Sequence, residues 1–307
     1  MEKPLILITA GDPLGIGPET VVKALKDARV KRACCPLVIG EPTSLKRAGW
    51  TDELAPLVAL DTPYALDFSR PRPTKAGGLV SFRAVELGIQ LALHYHAPLV
   101  TAPVSKQSWA LNQIPFTGHT ELLRKRTGKE GLMMFVSGRL CCALASEHFA
   151  IADLSRILTK TRVEKAALHF VRALQTLGIK NPQIALCALN PHAGDNGKFG
   201  TEEKRILTPV LRALARKSLL VEGPLPTDTA WLRHTHGQYD GLLCLYHDQA
   251  LTPLKLAARA PVVHLTAGLP FLRTSPAHGT AFDIAGQNKA DPESMVAAVL
   301  FAAKKPA

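Results

Sequence analysis

Leu242-Leu243-Cys244-Leu245-Tyr246-His247-Asp248-Gln249 decides the fold class, because an apolar run of strand length stops there on a polar loop that carries a histidine. The same arrangement occurs twice more. Leu140-Cys141-Cys142-Ala143-Leu144-Ala145 runs into Ser146-Glu147-His148, and Ile184 to Leu189 runs into Asn190-Pro191-His192-Ala193-Gly194. Short apolar runs between helical segments read as buried parallel strands, and open α/β sheets bind ligands beyond the carboxyl ends of their strands. The expectation is that the three imidazoles converge on one cleft. Neutral imidazole is a preferred ligand for a divalent transition metal, and a metal beside an alcohol opens redox or hydrolytic chemistry.

Outward from these loops, strand and helix alternate, as in an α/β fold. Leu5 to Ala10 reads as a strand and Pro18 to Ala28 as a helix with its proline in the tolerated first turn. Ser81 to Tyr95 has helical periodicity and Ala97 to Ala102 reads as the next strand. Arg162 to Leu177 forms an amphipathic helix stopped by Gly178, and Glu202 to Lys217 is helical before the strand at Gly241. Asp291-Pro292-Glu293 has the order of an N-cap, a first-turn proline and a dipole-matching acid, and opens a last helix through Val299 to Lys304. Leu57 to Gly77, rich in proline and polar residues, reads as a long loop, and no segment repeats at a fixed period.

A chain of 307 residues exceeds one typical compact domain, so two lobes sharing a cleft are expected. Hydrophobic residues make up 47% and charged residues 20%, which is a globular balance. No window approaches the roughly 18 uninterrupted apolar residues of a membrane helix, and Met1-Glu2-Lys3-Pro4 is unlike a signal peptide. The expectation is a cytoplasmic protein with no membrane partner. Cys34-Cys35 and Cys141-Cys142 are adjacent pairs, Cys187 and Cys244 sit in apolar runs, and no CxxC spacing occurs; reduced thiols follow. A net charge of +12 invites nucleic acid, but the basic residues are scattered beyond Arg124-Lys125-Arg126 and Lys304-Lys305, and aromatics are only 6%. An anionic small substrate fits that charge better than nucleic acid.

Gly15-Ile16-Gly17 follows a strand and opens a helix, with Glu41 further on, in the manner of a dinucleotide fingerprint. Thr20 stands where the third glycine belongs, and Pro13 and Pro18 stiffen the loop. A structured turn facing the cleft is the better reading. Asp248 suits a partner that fixes the tautomer of His247, a fourth metal ligand or a turn aspartate. Thr117-Gly118-His119-Thr120-Glu121 places a hydroxyl and an imidazole before a helical stretch, Leu122 to Arg126, suited to an anion at a helix N-terminus or to a capping box. Lys255 and Arg273 are cations in apolar or small surroundings, matched to a phosphorylated substrate or to structural ion pairs. His278-Gly279-Thr280-Ala281-Phe282-Asp283-Ile284-Ala285-Gly286 is dense in small residues that admit a flat ligand close to the backbone.

Together, Gly11 to Glu19, Thr101 to Lys106, Thr117 to Glu121, Asn190 to Gly194, Pro226 to Thr229, Tyr246 to Gln249 and Gly268 through Gly286 make the chain resemble the 4-hydroxythreonine-4-phosphate dehydrogenase family. That family belongs to pyridoxal phosphate biosynthesis and is related to the isocitrate and isopropylmalate dehydrogenases. The resemblance implies two α/β/α lobes, residues 1–116 with 262–307 on the cofactor side and 117–261 on the metal and dimer side. It implies that His148, His192 and His247 hold one divalent metal (zinc, magnesium or cobalt), in a site shared between the two subunits of a homodimer. It further implies that His119, Thr120, Lys255, His264 and Arg273 bind substrate. NAD or NADP is implied near His278, Gly279, Thr280, Ala281, Asp283, Ile284, Gly286 and Asp291, away from the N-terminal glycines. His264 stands where the family usually has asparagine, and Asn288 where it usually has glycine.

The implied reaction is oxidation of 4-phosphohydroxy-L-threonine followed by decarboxylation, with Asp248 as a candidate proton acceptor. Related enzymes act on phosphorylated sugar acids such as threonate or erythronate 4-phosphate, or on cyclic dihydrodiols. Three histidines beside a phosphate pocket also suit a metal-dependent phosphohydrolase, and a non-catalytic binding protein is the third class.

Overall fold

The computed structural model describes residues 3–304, so Met1, Glu2 and Lys305, used above in the leader and charge readings, lie outside the described residues. The strands are β1 Leu5–Thr9, β2 Cys35–Gly40, β3 Leu57–Ala59, β4 Leu99–Thr101, β5 Leu132–Ser137, β6 Leu140–Leu144, β7 Ile184–Cys187, β8 Val221–Leu225, β9 Gly241–Cys244, β10 Val263–Ala267 and β11 Arg273–Pro276. The chain divides into two compact units, Met1–Gly131 with Val263–Lys305 and Leu132–Val262. The first border therefore falls after Gly131 and not after residue 116. Leu122 and Leu123, on the helix His119–Thr127, are buried with Leu7, Val85 and Phe271 in the core of the first unit, which draws that helix and its histidine into it.

In the first unit the strand order is β3-β2-β1-β4-β11-β10. Neighbours from β3 to β11 run parallel. The β10 and β11 pair is antiparallel, because five residues join them and a parallel crossover needs a dozen or more. β1 is central, and its residues Ile6, Leu7 and Ile8 are buried, as a strand covered on both faces requires. Leu7 packs with Val85 and Ile89 of the helix Lys75–Tyr95, while the helix Glu293–Ala303 contacts β1, β4, β10 and β11. Lys75–Tyr95 is long and apolar enough to cross a membrane by length and composition, yet ten of its residues, among them Ala84, Val85 and Ile89, are buried in the unit. The stretch Leu57 to Gly77 is not one loop. It begins with β3 and ends in the first turn of that helix, where Thr74 Oγ1 caps the amide of Gly77 at 3.0 Å.

In the second unit the order is β5-β6-β9-β7-β8. β5 and β6 form an antiparallel hairpin through Gly138-Arg139, with glycine supplying the positive φ of 57° that a two-residue turn demands. β6, β9, β7 and β8 run parallel. One face of this sheet buries Cys142, Ala185, Leu242 and Cys244 against Trp231, Ala250 and Leu254 of the helices Thr227–Thr235 and His247–Ala257. Glu202 to Lys217 is not one regular helix: a π turn, Glu203–Leu207, precedes the α-helix Thr208–Ala215. The cysteines are free thiols, all buried except Cys35.

Candidate functional site

β6, β9 and β7 are adjacent and parallel, so their carboxyl ends open side by side, as the three apolar runs led one to expect. Ala145 and Ser146 continue the ladder by donating to the carbonyls of Cys244 and Leu245, which draws the loop after β6 against the loop after β9. The ring centroids of His148 and His247 are consequently 5.4 Å apart. They line a cavity of about 340 Å³ with Glu147, Phe149, Ile151, Tyr246 and Asp248. Asp248 Oδ1 accepts from His247 Nδ1 at 2.7 Å, which leaves Nε2 as the nitrogen with a lone pair for a ligand. Asp248 is thus placed to set a tautomer.

His192 is not part of that cavity lining, and among the described residues no group of three or more His, Cys, Asp or Glu side chains is gathered to hold a metal. One protomer brings two of the three imidazoles together. His192 lies on an exposed turn in which His192, Ala193, Gly194, Asp195 and Asn196 all have positive φ. Left-handed backbone costs a non-glycine residue about 1 kcal/mol or more, so the turn needs outside support.

Two buried side chains supply cross-ties that the motif reading missed. Gln249 Oε1 accepts from the amide of Leu245 at 2.7 Å, and its Nε2 donates to the carbonyl of Ala188 at 2.7 Å and to Thr227 Oγ1 at 2.8 Å, joining the ends of β9 and β7. Glu203 Oε1 accepts from the amides of Leu189 at 2.9 Å and Asn190 at 2.8 Å. Gln249 stood inside a quoted motif, and a buried amide there was the available signal. Glu203 had none, because two of its partners are the backbone amides of Leu189 and Asn190, which carry no mark in the sequence.

The first unit holds His119, Thr120, His264 and Arg273; Lys255 lies exposed in the last turn of His247–Ala257, in the second unit. Arg273, 1% exposed, has no carboxylate partner among the described residues. Its Nη1 donates to Thr266 Oγ1 at 3.1 Å and to His264 Nδ1 at 3.3 Å, its Nη2 to Thr101 Oγ1 at 2.6 Å, and its buried Nε has no partner. Burial pulls its pKa down to about 9. His119 Nε2 is likewise buried without a partner. Burial first, and the Arg273 charge second, hold the His119 imidazole well below its usual range, hence neutral. A buried cation is expensive unless compensated, so a ring of neutral donors around one is chemistry for an incoming anion. The Thr117 segment adds to it differently from a Ser/Thr cap. Gly118 occupies the cap position with no side-chain cap, and Glu121 Oε2 reaches back to the amide and hydroxyl of Thr117 at 2.7 and 2.9 Å.

The loop His278 to Gly286 lies against the N-terminal glycine turn. The amide of Ile16 donates to the carbonyl of Thr280 at 2.9 Å, and a Cβ on Gly15 would sit 3.0 Å from Thr280. A cavity of about 630 Å³ is lined by residues from both, among them Leu14, Gly15, Phe282, Asp283, Ala285 and Gly286. The two dinucleotide readings of the sequence therefore meet in one cleft. Chain neighbours apart, no heavy atom lies within 4 Å of a Cβ built on Gly279 or Gly286, so the space beside both is open. His278 Nδ1 is 3.0 Å from the carbonyl of Gly279, and its buried Nε2 has no partner. Asp291 instead accepts from the amide of Glu293 at 2.9 Å, although Pro292, which the sequence reading put in the first turn, occupies the cap position of that helix. Glu41 caps the helix Pro42–Arg47 through the amides of Thr43 and Ser44, which occupies the carboxylate that a dinucleotide fingerprint would present to ribose.

Comparisons with known proteins cover nearly the whole chain. A family model described as pyridoxal phosphate biosynthetic protein PdxA matches residues 25–302. A 4-hydroxythreonine-4-phosphate dehydrogenase of Geobacter metallireducens is 38% identical over 98% of this chain and 95% of that protein. A D-threonate 4-phosphate dehydrogenase of Salmonella typhimurium is 39% identical over 98% of this chain and 99% of that protein. The crystal structure of 4-hydroxythreonine-4-phosphate dehydrogenase from Klebsiella pneumoniae superposes with a TM-score of 0.84 at 33% identity, covering 98% of this chain and 97% of that one. A β-decarboxylating dehydrogenase from Thermococcus kodakarensis shares the fold, with a TM-score of 0.52 at 15% identity over 98% of this chain and 81% of that one.

Proposed function

The chain belongs to the PdxA family and is a dehydrogenase, and from that premise we propose that it oxidises 4-phosphohydroxy-L-threonine with NAD or NADP and a divalent metal, as a cytoplasmic homodimer with shared active sites. The secondary alcohol loses a hydride and a proton to give 2-amino-3-oxo-4-phosphooxybutanoate. The bond to the carboxylate then breaks, carbon dioxide leaves, and the carbon left behind takes a proton to give 3-amino-1-hydroxyacetone phosphate.

The observation that carries this reading is the fully buried, uncompensated guanidinium of Arg273 among Thr101, Thr266, His264 and His119. Phosphate oxygens complete it. Neutral His119 donates without adding charge, and Thr120 offers a hydroxyl in the first turn of its helix. His148 and His247 fit two places of a metal's donor set, with His192 from the partner protomer as the third. When bound, the divalent cation (zinc, magnesium or cobalt) lowers the pKa of the alcohol and the dinucleotide accepts the hydride. Asp248 holds His247 in the Nδ1–H tautomer and is the candidate proton acceptor. Phe282, Asp283, Ala285 and Gly286, which line the 630 Å³ cavity, would hold the dinucleotide.

A second reading, oxidation of threonate or erythronate 4-phosphate, draws on the 39% identical Salmonella typhimurium relative. A metal-reconstituted assay of each phosphorylated alcohol with NAD and with NADP separates them. Reduced nicotinamide and carbon dioxide from 4-phosphohydroxythreonine are expected. A strong preference for the sugar acids overturns the substrate assignment, and phosphate release with no reduced nicotinamide overturns the dehydrogenase reaction.

A further inference from the structure

We infer that Glu203 is a positioning residue for His192, an inference that rests on the reading of His192 as a metal ligand. Glu203 is only 6% exposed and no lysine or arginine pairs with it among the described residues. Its charge is instead met by N–H donors of the loop that precedes His192: the amides of Leu189 and Asn190 at Oε1, and Asn190 Nδ2 at Oε2, 2.9 Å away. The same carboxylate abuts the turn itself, since a Cβ on Gly194 would lie 2.9 Å from Glu203 Oε2.

Three features converge on this one group. Among the described residues the amides of Leu189 and Asn190, just past the end of β7, have Glu203 Oε1 as their acceptor, so the carboxylate stands where the carbonyls of a neighbouring strand would be. The residues that follow, His192 to Asn196, hold positive φ angles between 41° and 82°, a conformation that persists only where the surroundings fix it. Glu203 also opens the π turn Glu203–Leu207, which interrupts regular helix beside the loop. Glu202 supports the arrangement: its Oε2 accepts from Asn190 Nδ2 at 2.9 Å and from the amide of Thr201 at 3.1 Å, and Ser155 donates to its Oε1. Asn190 is thereby held between two carboxylates, and His192 is two residues away. Removing the Glu203 charge leaves the fold its core but frees the turn.

The test is cobalt(II) titration of the intact metal-stripped protein, read by visible absorption and calorimetry, for the native sequence and for Glu203→Gln, Gly194→Ala, His148→Ala and His192→Ala. Dinucleotide binding and the unfolding midpoint of the metal-free protein are measured alongside. Glu203→Gln is expected to weaken cobalt(II) about 10- to 100-fold and to change its absorption band, with dinucleotide affinity and unfolding midpoint close to native. Gly194→Ala, which drives a methyl group toward Glu203 from the opposite side, is expected to weaken cobalt(II) as well and decides the matter if Glu203→Gln does not fold. Native cobalt(II) affinity and spectrum in both variants, with binding lost in His148→Ala and His192→Ala, overturns the role of Glu203 alone. Native binding in the two histidine variants overturns the metal reading and the inference with it.

Discussion

Thr101 Oγ1 accepts a hydrogen bond from Arg273 Nη2 at 2.6 Å, so a fully buried cation takes its shortest contact from a neutral hydroxyl on β4. The unsatisfied charge is a cost that the folded protein carries until an anion arrives. Arg273→Met is therefore expected to leave the unfolding midpoint of the ligand-free protein unchanged or raised, while KM for the phosphorylated substrate rises about 100-fold or more. Thermal unfolding with and without inorganic phosphate checks it. A ligand-free midpoint lowered by several degrees would show that the guanidinium is a structural prop.

Asp12, fully buried, accepts from the amide of Leu14 at 3.1 Å and from Ser108 Oγ at 2.9 Å, yet burial outweighs both and pushes its pKa up from 3.8 to about 6. For an acid raised by folding, the charged form is penalised above about pH 6 and the penalty is relieved as pH falls toward 3.8. Asp12→Asn is expected to be the more stable protein near neutral pH by on the order of 2–3 kcal/mol, an advantage that shrinks as the pH drops through that window. Urea unfolding of both proteins at neutral and at mildly acidic pH measures the difference. A gap that grows on acidification would reverse the sign.

Removal of the Asp248 carboxylate leaves His247 without the acceptor that fixes its tautomer. Asp248→Ala is expected to weaken cobalt(II) about 10- to 100-fold. If Asp248 also takes the proton of the alcohol, kcat at saturating metal falls in addition; a kcat restored by excess metal confines the residue to orienting the ring.

Gly15 touches Thr280, so a side chain there displaces the loop that lines the 630 Å³ cavity proposed to hold the dinucleotide. Gly15→Val is expected to raise the dinucleotide dissociation constant about tenfold or more, an overpacking cost of roughly 1–3 kcal/mol, with cobalt(II) binding unchanged. Fluorescence titration with reduced nicotinamide dinucleotide reads the outcome, and native affinity would remove the N-terminal turn from the cofactor site.

The alternation of strand and helix was legible where parallel strands are unbroken apolar runs, as in β6, β7 and β9, and the histidines stood out because each follows such a run, whereas β8, with Glu222, Gly223 and Pro224 inside it, was not legible. Nor was the β10 and β11 pair, since His264, Thr266, Arg273 and Ser275 interrupt the apolar pattern. Arg273 was legible as a cation in an odd place, but its partners were not, because Thr101 approaches it only through the β4 and β11 pairing. The separation of His192 from His148 and His247 had no trace in the sequence. His192 stands at the head of five consecutive left-handed residues, four of which are not glycine.

That left-handed turn has a consequence for how substitutions are tolerated there. At Ala193, Asp195 and Asn196 the usual ranking by size and polarity gives way to one by handedness, in which glycine, asparagine and aspartate are accepted and valine or isoleucine are rejected. A saturation library over those positions would sort its survivors by backbone mirror preference, whereas residue 194 would keep its glycine, because a Cβ there meets Glu203.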